Sequence, residues 1–254
     1  MEQFVAMLLD APLQSWGFAS RFQRRSTGLY PTKSGVIGLI CAAMGLAKGS
    51  PEESRKLPKL GKLPMLVIVL PRPKPWSRQP QIGERAHWLE PRRLDDYHTV
   101  GGGYDLDKQR QSVPRTASGK PDKDATLSRR EYLLDARFGV ILSGPSDLLE
   151  AVVSALRNPI WGVWLGRKSC VPAAPVLAGG LCRSEEDAWK ALSHAARLPP
   201  EARIKSFEQI VEVADPSAAH FTIRDQPVSF GDGSSSGPDV RHFAARHLRR
   251  EPGI

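Results

Sequence analysis

Apolar positions along the 254-residue chain fall into short blocks separated by polar or Gly/Pro-rich stretches. Residues 3–9 (QFVAMLL) predict a buried strand. Residues 34–47 (SGVIGLICAAMGLA) predict a helix that is apolar on most sides, with Thr32 or Ser34 as its cap and Gly49 and Pro51 just past its end. PMLVIVLP at 64–71 is a continuous apolar run bounded by prolines and predicts a central strand. EYLLDARFGVIL (131–142) predicts another strand. PSDLLEAVVSAL (145–156) predicts a helix capped by Ser146, and WGVWLG (161–166) predicts a fourth strand. Beyond it, GRKSCVPAAPVLAGG is a Gly/Pro-rich connection, and 184–198 predicts a helix whose acidic first turn suits the helix dipole. FEQIVEVAD and FTIRDQPVSF predict strands, 231–238 a loop, and DVRHFAARHLRR (239–250) a basic terminal helix.

Strand, helix, strand, strand, helix, strand is the split βαβ order. The expected class is α+β, a ferredoxin-like (RRM-like) βαββαβ domain formed by 1–71 and 129–178, with helices on one face of its sheet. A small C-terminal lobe or extension is expected from 179 to 254. Residues 72–128 interrupt the pattern, far beyond a hairpin loop of two to five residues. From 72 to 130, thirteen Lys or Arg stand against eight acids. Two readings are open there: a disordered insertion, or a long hairpin or arm that orders on a partner. Trp76, Trp88, Tyr97 and Tyr104 favour some packing.

No run approaches the roughly 18–20 apolar residues of a membrane span. The N-terminus has an acid where a signal peptide would be basic. The three cysteines, Cys41, Cys170 and Cys182, lack metal-ligand spacing and are odd in number, which predicts a cytoplasmic protein with buried or inert thiols. Six scattered histidines form no ligand pair, so no metal or cofactor is expected. A Tyr/Lys/His acid–base set stays open.

A net charge of +9 points to a polyanionic partner, with nucleic acid first. The distribution of that charge sharpens the expectation. Arg21, Arg24, Arg25 and Lys33 lie in one stretch with no Asp or Glu between Phe18 and Lys33. Such a stretch would neutralise phosphates and release counterions. Phe22 and Tyr30 offer stacking faces, and Ser34 in TKSG opens the helix near free backbone N–H groups. No GxxxxGK[ST] or GxGxxG accompanies it, which excludes a nucleotide-hydrolysing loop. LGRKSC supplies Gly166, Arg167, Lys168 and Ser169 as a second phosphate-contact turn. Arg129 and Arg130 stand at the mouth of a strand, where alternation sends them to opposite faces. Arg110 and Arg115 complete the candidate RNA-binding set. The bland alternative is a solvated loop with Phe22 and Tyr30 in the core.

LLDAPLQSWGFASRFQRRSTGLYPTKSGVIGLICAAMGL, LSRREYLLDARFGVIL and WGVWLGRKSCVPAAPV resemble the CasD family of the RAMP superfamily. Its members are subunits of the type I-E CRISPR surveillance complex Cascade. The likeness runs through most of 4–178 and resumes at VRHFAARHL, with 72–128 and 179–236 matching only loosely. The resemblance implies a ferredoxin-like RNA-binding domain with a protruding β-hairpin thumb. It implies binding of the 5′ handle of CRISPR RNA, capping of one end of the complex, and contact with the neighbouring backbone subunit and the large subunit. The thumb would lie over the guide, near target DNA. In type I-E systems another subunit cuts the guide, so no catalysis is expected. A related type I-C subunit is a metal-independent endoribonuclease, and here Tyr30 and Lys33 could supply part of such a set. A third possibility is a protein-only scaffold.

Overall fold

A computed structural model describes residues 2–17, 23–73, 88–89, 92–100, 125–231 and 241–253. The elements in chain order are β1 (Glu2–Asp10), β2 (Leu13–Gln14), β3 (Arg24–Arg25), α1 (Lys33–Ala43), α2 (Pro51–Gly61), β4 (Met65–Leu70), β5 (Arg72–Pro73), β6 (Trp88–Leu89), β7 (Arg92–Val100), β8 (Thr126–Leu134), β9 (Arg137–Pro145), α3 (Ser146–Arg157), β10 (Leu177–Cys182), α4 (Glu185–Ala195), β11 (Gln209–Glu212), β12 (Phe221–Ser229) and β13 (His242–Glu251).

Seven strands form one sheet in the order β10-β1-β9-β4-β11-β13-β12, and every neighbouring pair is antiparallel. Alternation along β1 decides how the two faces are covered. Val5, Met7 and Leu9 enter a core with α1, α2 and α3, while Ala6 and Leu8 enter a second core with Trp189 and Leu192 of α4. Helices therefore cover both faces, not one. The boundary expected at 178/179 falls inside β10, and β11, β12 and β13 continue the same sheet.

Four local expectations are corrected. The apolar run 131–142 is two strands, because Asp135 at φ 56° turns the chain from β8 into β9. Asp adopts this left-handed conformation more readily than most residues. WGVWLG is a loop, and β10 takes the edge place beside β1. Ser146 does not cap α3. Pro145 is the N-cap residue, and the Ser146 hydroxyl lies 2.8 Å from Glu150 Oε1. The basic segment after 239 forms the strand β13, in which Arg246 and Leu248 are buried at a spacing of two. It pairs with β12, the strand expected over FTIRDQPVSF, and with β11.

One helix was not anticipated. Gly49 and Pro51, read as a helix end, also open α2. Ser50 Oγ accepts from the Glu53 N–H at 3.1 Å, and Glu53 Oε2 accepts from the Gly49 N–H at 2.6 Å. This is capping-box logic with Pro at the first helical position. Leu57 and Leu60 anchor α2 in the core.

Candidate nucleic-acid interface

The conspicuous QSWG stretch builds a frame for the site. Gln14 is buried and donates Nε2 to the carbonyls of Leu9 and Ala136 at 3.0 and 2.6 Å. It accepts from Trp16 Nε1 at 3.0 Å. The Trp16 indole is fully buried against α1, where a Cβ on Gly35 would lie 2.9 Å from the ring. Trp16 N–H donates to Thr27 Oγ1 at 2.8 Å, and Gly28 N–H to the Trp16 carbonyl at 2.7 Å. The basic stretch is thereby tied at its C-terminal end to the core.

Held in this way, Arg24 and Arg25 form β3 and pair in parallel with β8. The register sets Arg24 opposite Arg129 and Arg25 opposite Arg130. Like charges directly opposite one another destabilise a sheet. One carboxylate offsets part of this cost. Glu131 accepts from Arg24 on Oε1 at 3.2 Å and from the Thr27 N–H on Oε2 at 3.4 Å, and Oε2 also lies 3.7 Å from Arg93. The stretch that carries no acid of its own thus borrows one from β8.

Pairing and alternation divide the arginines between two faces. Arg24, Arg129 and Glu131 share one face with Tyr97, which stands opposite Arg129 on β7. Tyr97 is 61% exposed, so it does not supply the packing expected of it. Arg24, Tyr97 and Arg129, together with Leu127 and Ser128, line an open groove of about 550 Å³. Arg25 and Arg130 lie on the opposite face, where Asp96 stands across from Arg130.

The second predicted place meets the first. Arg167 donates Nη2 to the Arg25 carbonyl at 2.7 Å and Nη1 to the Glu131 carbonyl at 3.1 Å. Its guanidinium lies 4.7 Å from the centre of the Tyr132 ring. Ser169 Oγ is 3.4 Å from the Tyr132 hydroxyl. Gly166 is required here. It sits at φ +102°, and a Cβ would fall 1.8 Å from the Ser15 carbonyl oxygen. Leu165 accepts from the Ser15 N–H at 3.1 Å and its own N–H donates to the Cys170 carbonyl at 2.8 Å, closing the turn. Lys168 and Ser169 are left exposed.

Lys33 is a correction. Its side chain is fully buried and pairs with Glu212 at 3.0 Å, so it meets no surface ligand. Burial lowers its pKa, and the Glu212 carboxylate acts against that shift. Glu212 also accepts from Arg246 at 2.7 Å, and Arg246 forks onto Asp225 with two bonds of 2.6 Å. Asp225 Oδ2 accepts from the Lys33 N–H at 2.7 Å, so this network locks the start of α1 to β11, β12 and β13. Tyr30 is half-buried and donates to Glu208 at 2.7 Å. Burial, then the bond to Glu208, pushes its pKa up to about 12. Thr32, not Ser34, caps α1 by accepting from the Gly35 N–H at 3.3 Å. Arg21, Phe22, Trp76, Tyr104, Arg110 and Arg115 lie outside the described residues.

A family model described as CRISPR-associated protein (Cas_Cas5) matches residues 4–249. The chain belongs to this CRISPR-associated Cas5 family. It is 26% identical over 231 residues to the CRISPR system Cascade subunit CasD of Escherichia coli strain K12, with 90% of each chain covered. It is similar to a chain in a solved CRISPR RNA-guided surveillance complex, with TM-score 0.67 and 28% identity, covering 98% of this chain and 90% of that one. It also resembles a Cas protein known from a crystal structure, with TM-score 0.54 and 29% identity, covering 98% and 95% of the two chains. Within this Cas5-family chain, sequence reasoning passed over Arg93 and Tyr132 and read Tyr97 only as a packing aromatic. They are brought to the arginines by the β7–β8 ladder and by the turn after Leu165. No short-range pattern marks them. Among the described residues, no helix is long and apolar enough to cross a membrane.

Proposed function

We propose that this Cas5-family chain is a non-catalytic, cytoplasmic subunit of a Cascade-type surveillance complex that holds the 5′ handle of CRISPR RNA. One observation carries the proposal. Four arginines are paired like-to-like across the β3–β8 ladder, and a cationic turn is bonded onto that ladder through Arg167. A fold keeps such a destabilising arrangement where a polyanion relieves it. Arg25, Arg129, Arg130 and Lys168 contact phosphates. Arg24 shares its charge with Glu131 and contributes less. Ser34, Gly166 and Ser169 border the path of the chain, and Tyr97 offers a stacking face.

The strand order β10-β1-β9-β4, with β1–α1 and β9–α3 units in sequence, supports the ferredoxin-like reading of the core. The hairpin of β7 and β8 is the base of the thumb, which reaches over the guide near target DNA. The remaining surfaces meet the neighbouring backbone subunit and the large subunit at one end of the complex. Sequence specificity then rests on base pairing by the guide, as in other RNA-guided systems.

Endoribonuclease activity is the competing assignment. The two residues offered for it are both engaged: Tyr30 with Glu208, and Lys33 in a buried pair with Glu212. Incubating the purified chain with repeat RNA in EDTA separates the two. Intact RNA, bound with an affinity that falls steeply with salt, is the expected result. Specific cleavage would refute the non-catalytic assignment.

A further inference from the structure

On the α1 side of the 166–169 turn lies a groove of about 430 Å³ that the arginine ladder does not use. Its floor is the small-residue face of α1, with Ser34, Gly35, Gly38 and Ala42. From Ser34 to Ala42 this floor runs about 12 Å at the helical rise. One wall is aromatic. Trp161 is 45% exposed, and Trp164 lies against the backbone of Gly162, where a Cβ would come within 2.7 Å of its ring. The wall is fixed to the last turn of α1 by Ile160 N–H to the Ala43 carbonyl at 2.9 Å and Trp161 N–H to the Ala42 carbonyl at 3.2 Å. Phe230 also lines the groove, its Cζ 3.8 Å from where a Cβ on Gly38 would stand. Lys168, Lys48 and Arg241 also line the groove, against one acid, Glu53, which is buried and bonded to the Gly49 N–H.

We infer that this groove is a nucleobase slot for single-stranded RNA, in which Trp161 stacks on a base turned away from its neighbours and the lysine-bearing rim meets the flanking phosphates. Three features select this occupant. Exposed indole and a floor of small residues leave a flat-sided apolar space, which suits a π-face more than a branched side chain. The rim is cationic, which suits a backbone carrying charge at every residue. Gly166 and Lys168 belong both to this groove and to the turn bonded onto the arginine ladder, so one strand can pass continuously from one to the other. The inference rests on the RNA-holding role proposed above.

The test uses the full chain and a synthetic RNA carrying the repeat-derived 5′ segment of its guide. Abasic nucleotides replace each position in turn, and affinity is measured for the wild type, Trp161→Ala and Trp161→Phe, with melting curves to verify folding. Wild type loses roughly tenfold at one or two positions, a stacking-sized effect. In Trp161→Ala the same abasic substitutions cost nothing further, and Trp161→Phe recovers most of the affinity. Equal abasic losses in wild type and Trp161→Ala, with salt-dependent RNA binding intact, would overturn the slot and leave the RNA-holding role standing. Failure of the wild type to bind the RNA would overturn both. Trp161→Ala that binds RNA normally but weakens assembly with other subunits would assign the groove to a protein and overturn the slot.

Discussion

Arg167 and Lys168 are neighbours in sequence with different tasks, and separating them tests how the site is built. Arg167 makes two charge-assisted hydrogen bonds to the carbonyls of Arg25 and Glu131 and lies over Tyr132. Such bonds contribute about 1.5–3 kcal/mol each and the ring contact about 0.5–1 kcal/mol, before allowance for exposure. The Arg25 bond is solvent-exposed, so a loss of roughly 2–4 kcal/mol in turn docking is expected for Arg167→Ala. Arg167→Lys keeps the charge but cannot reproduce the planar fork, and should resemble the alanine variant. Lys168→Ala should leave the turn docked and remove the one phosphate contact proposed for it. For single strands that lowers the slope of log affinity against log salt by about 0.7, or about 2.6-fold in affinity ratio between 50 and 200 mM salt. Fluorescence anisotropy with handle RNA across that range measures both. Arg167→Lys should lose at least tenfold in affinity at fixed salt, with a slope change no larger than that of Lys168→Ala. Wild-type affinity in Arg167→Lys would refute the positioning role, and an unchanged slope in Lys168→Ala would refute the phosphate contact.

Further outcomes follow from individual residues. Arg246→Met strands Asp225, which is 2% exposed, and should cost about 3–5 kcal/mol in a urea melt, as expected for a broken buried ion pair. Gly166→Ala places a methyl on the Ser15 carbonyl and should reduce both melting temperature and RNA affinity, whereas Ser169→Ala should leave stability unchanged. Because Tyr30 titrates at about 12 in the folded chain against about 10 when unfolded, the folded state favours its neutral form. The stability it contributes is complete below pH 10 and is lost as pH climbs to 12. Tyr30→Phe should therefore show a shallower alkaline loss, and absorbance at 295 nm should lose a late-titrating component that the wild type shows. Burial raises all three thiols, Cys41 to about 12, so exposure separates them: a maleimide at neutral pH should label half-buried Cys182 before buried Cys41 or Cys170.

Continuous apolar runs were legible where one strand or helix accounts for a whole run, as with β1, β4 and α1. They misled where two elements share a run. The break at Asp135 depends on a left-handed backbone conformation, and its mark in the sequence is the charged pair Asp135 and Arg137 inside the run. α2 was hidden by its own Pro58 and by few apolar positions, although SPEE carries a cap signal that would have found it. For the candidate site, charge density marked the loop of Arg24 and Arg25 and the turn of Arg167 and Lys168, which the structure brings together. Sequence could not separate a surface cation from a buried one. Lys33 shares a stretch with Arg24 and Arg25, yet it is paid for by Glu212, 179 residues away. Likewise Glu131 tempers Arg24 only through pairing across 107 residues. Much of the QSWG and TKSG words that made the family recognisable proves to be framework: Gln14, Trp16 and Thr32 fix α1 and the loop.

The most direct measurement is a photocrosslink from 4-thiouridine placed at successive positions of the guide's 5′ segment in the assembled complex, read out by mass spectrometry of the attached peptides. The account predicts adducts on the peptides holding Arg24–Arg25, Ser128–Arg130 and Gly166–Ser169. Adducts confined to other surfaces of this chain, or to other subunits alone, would contradict it.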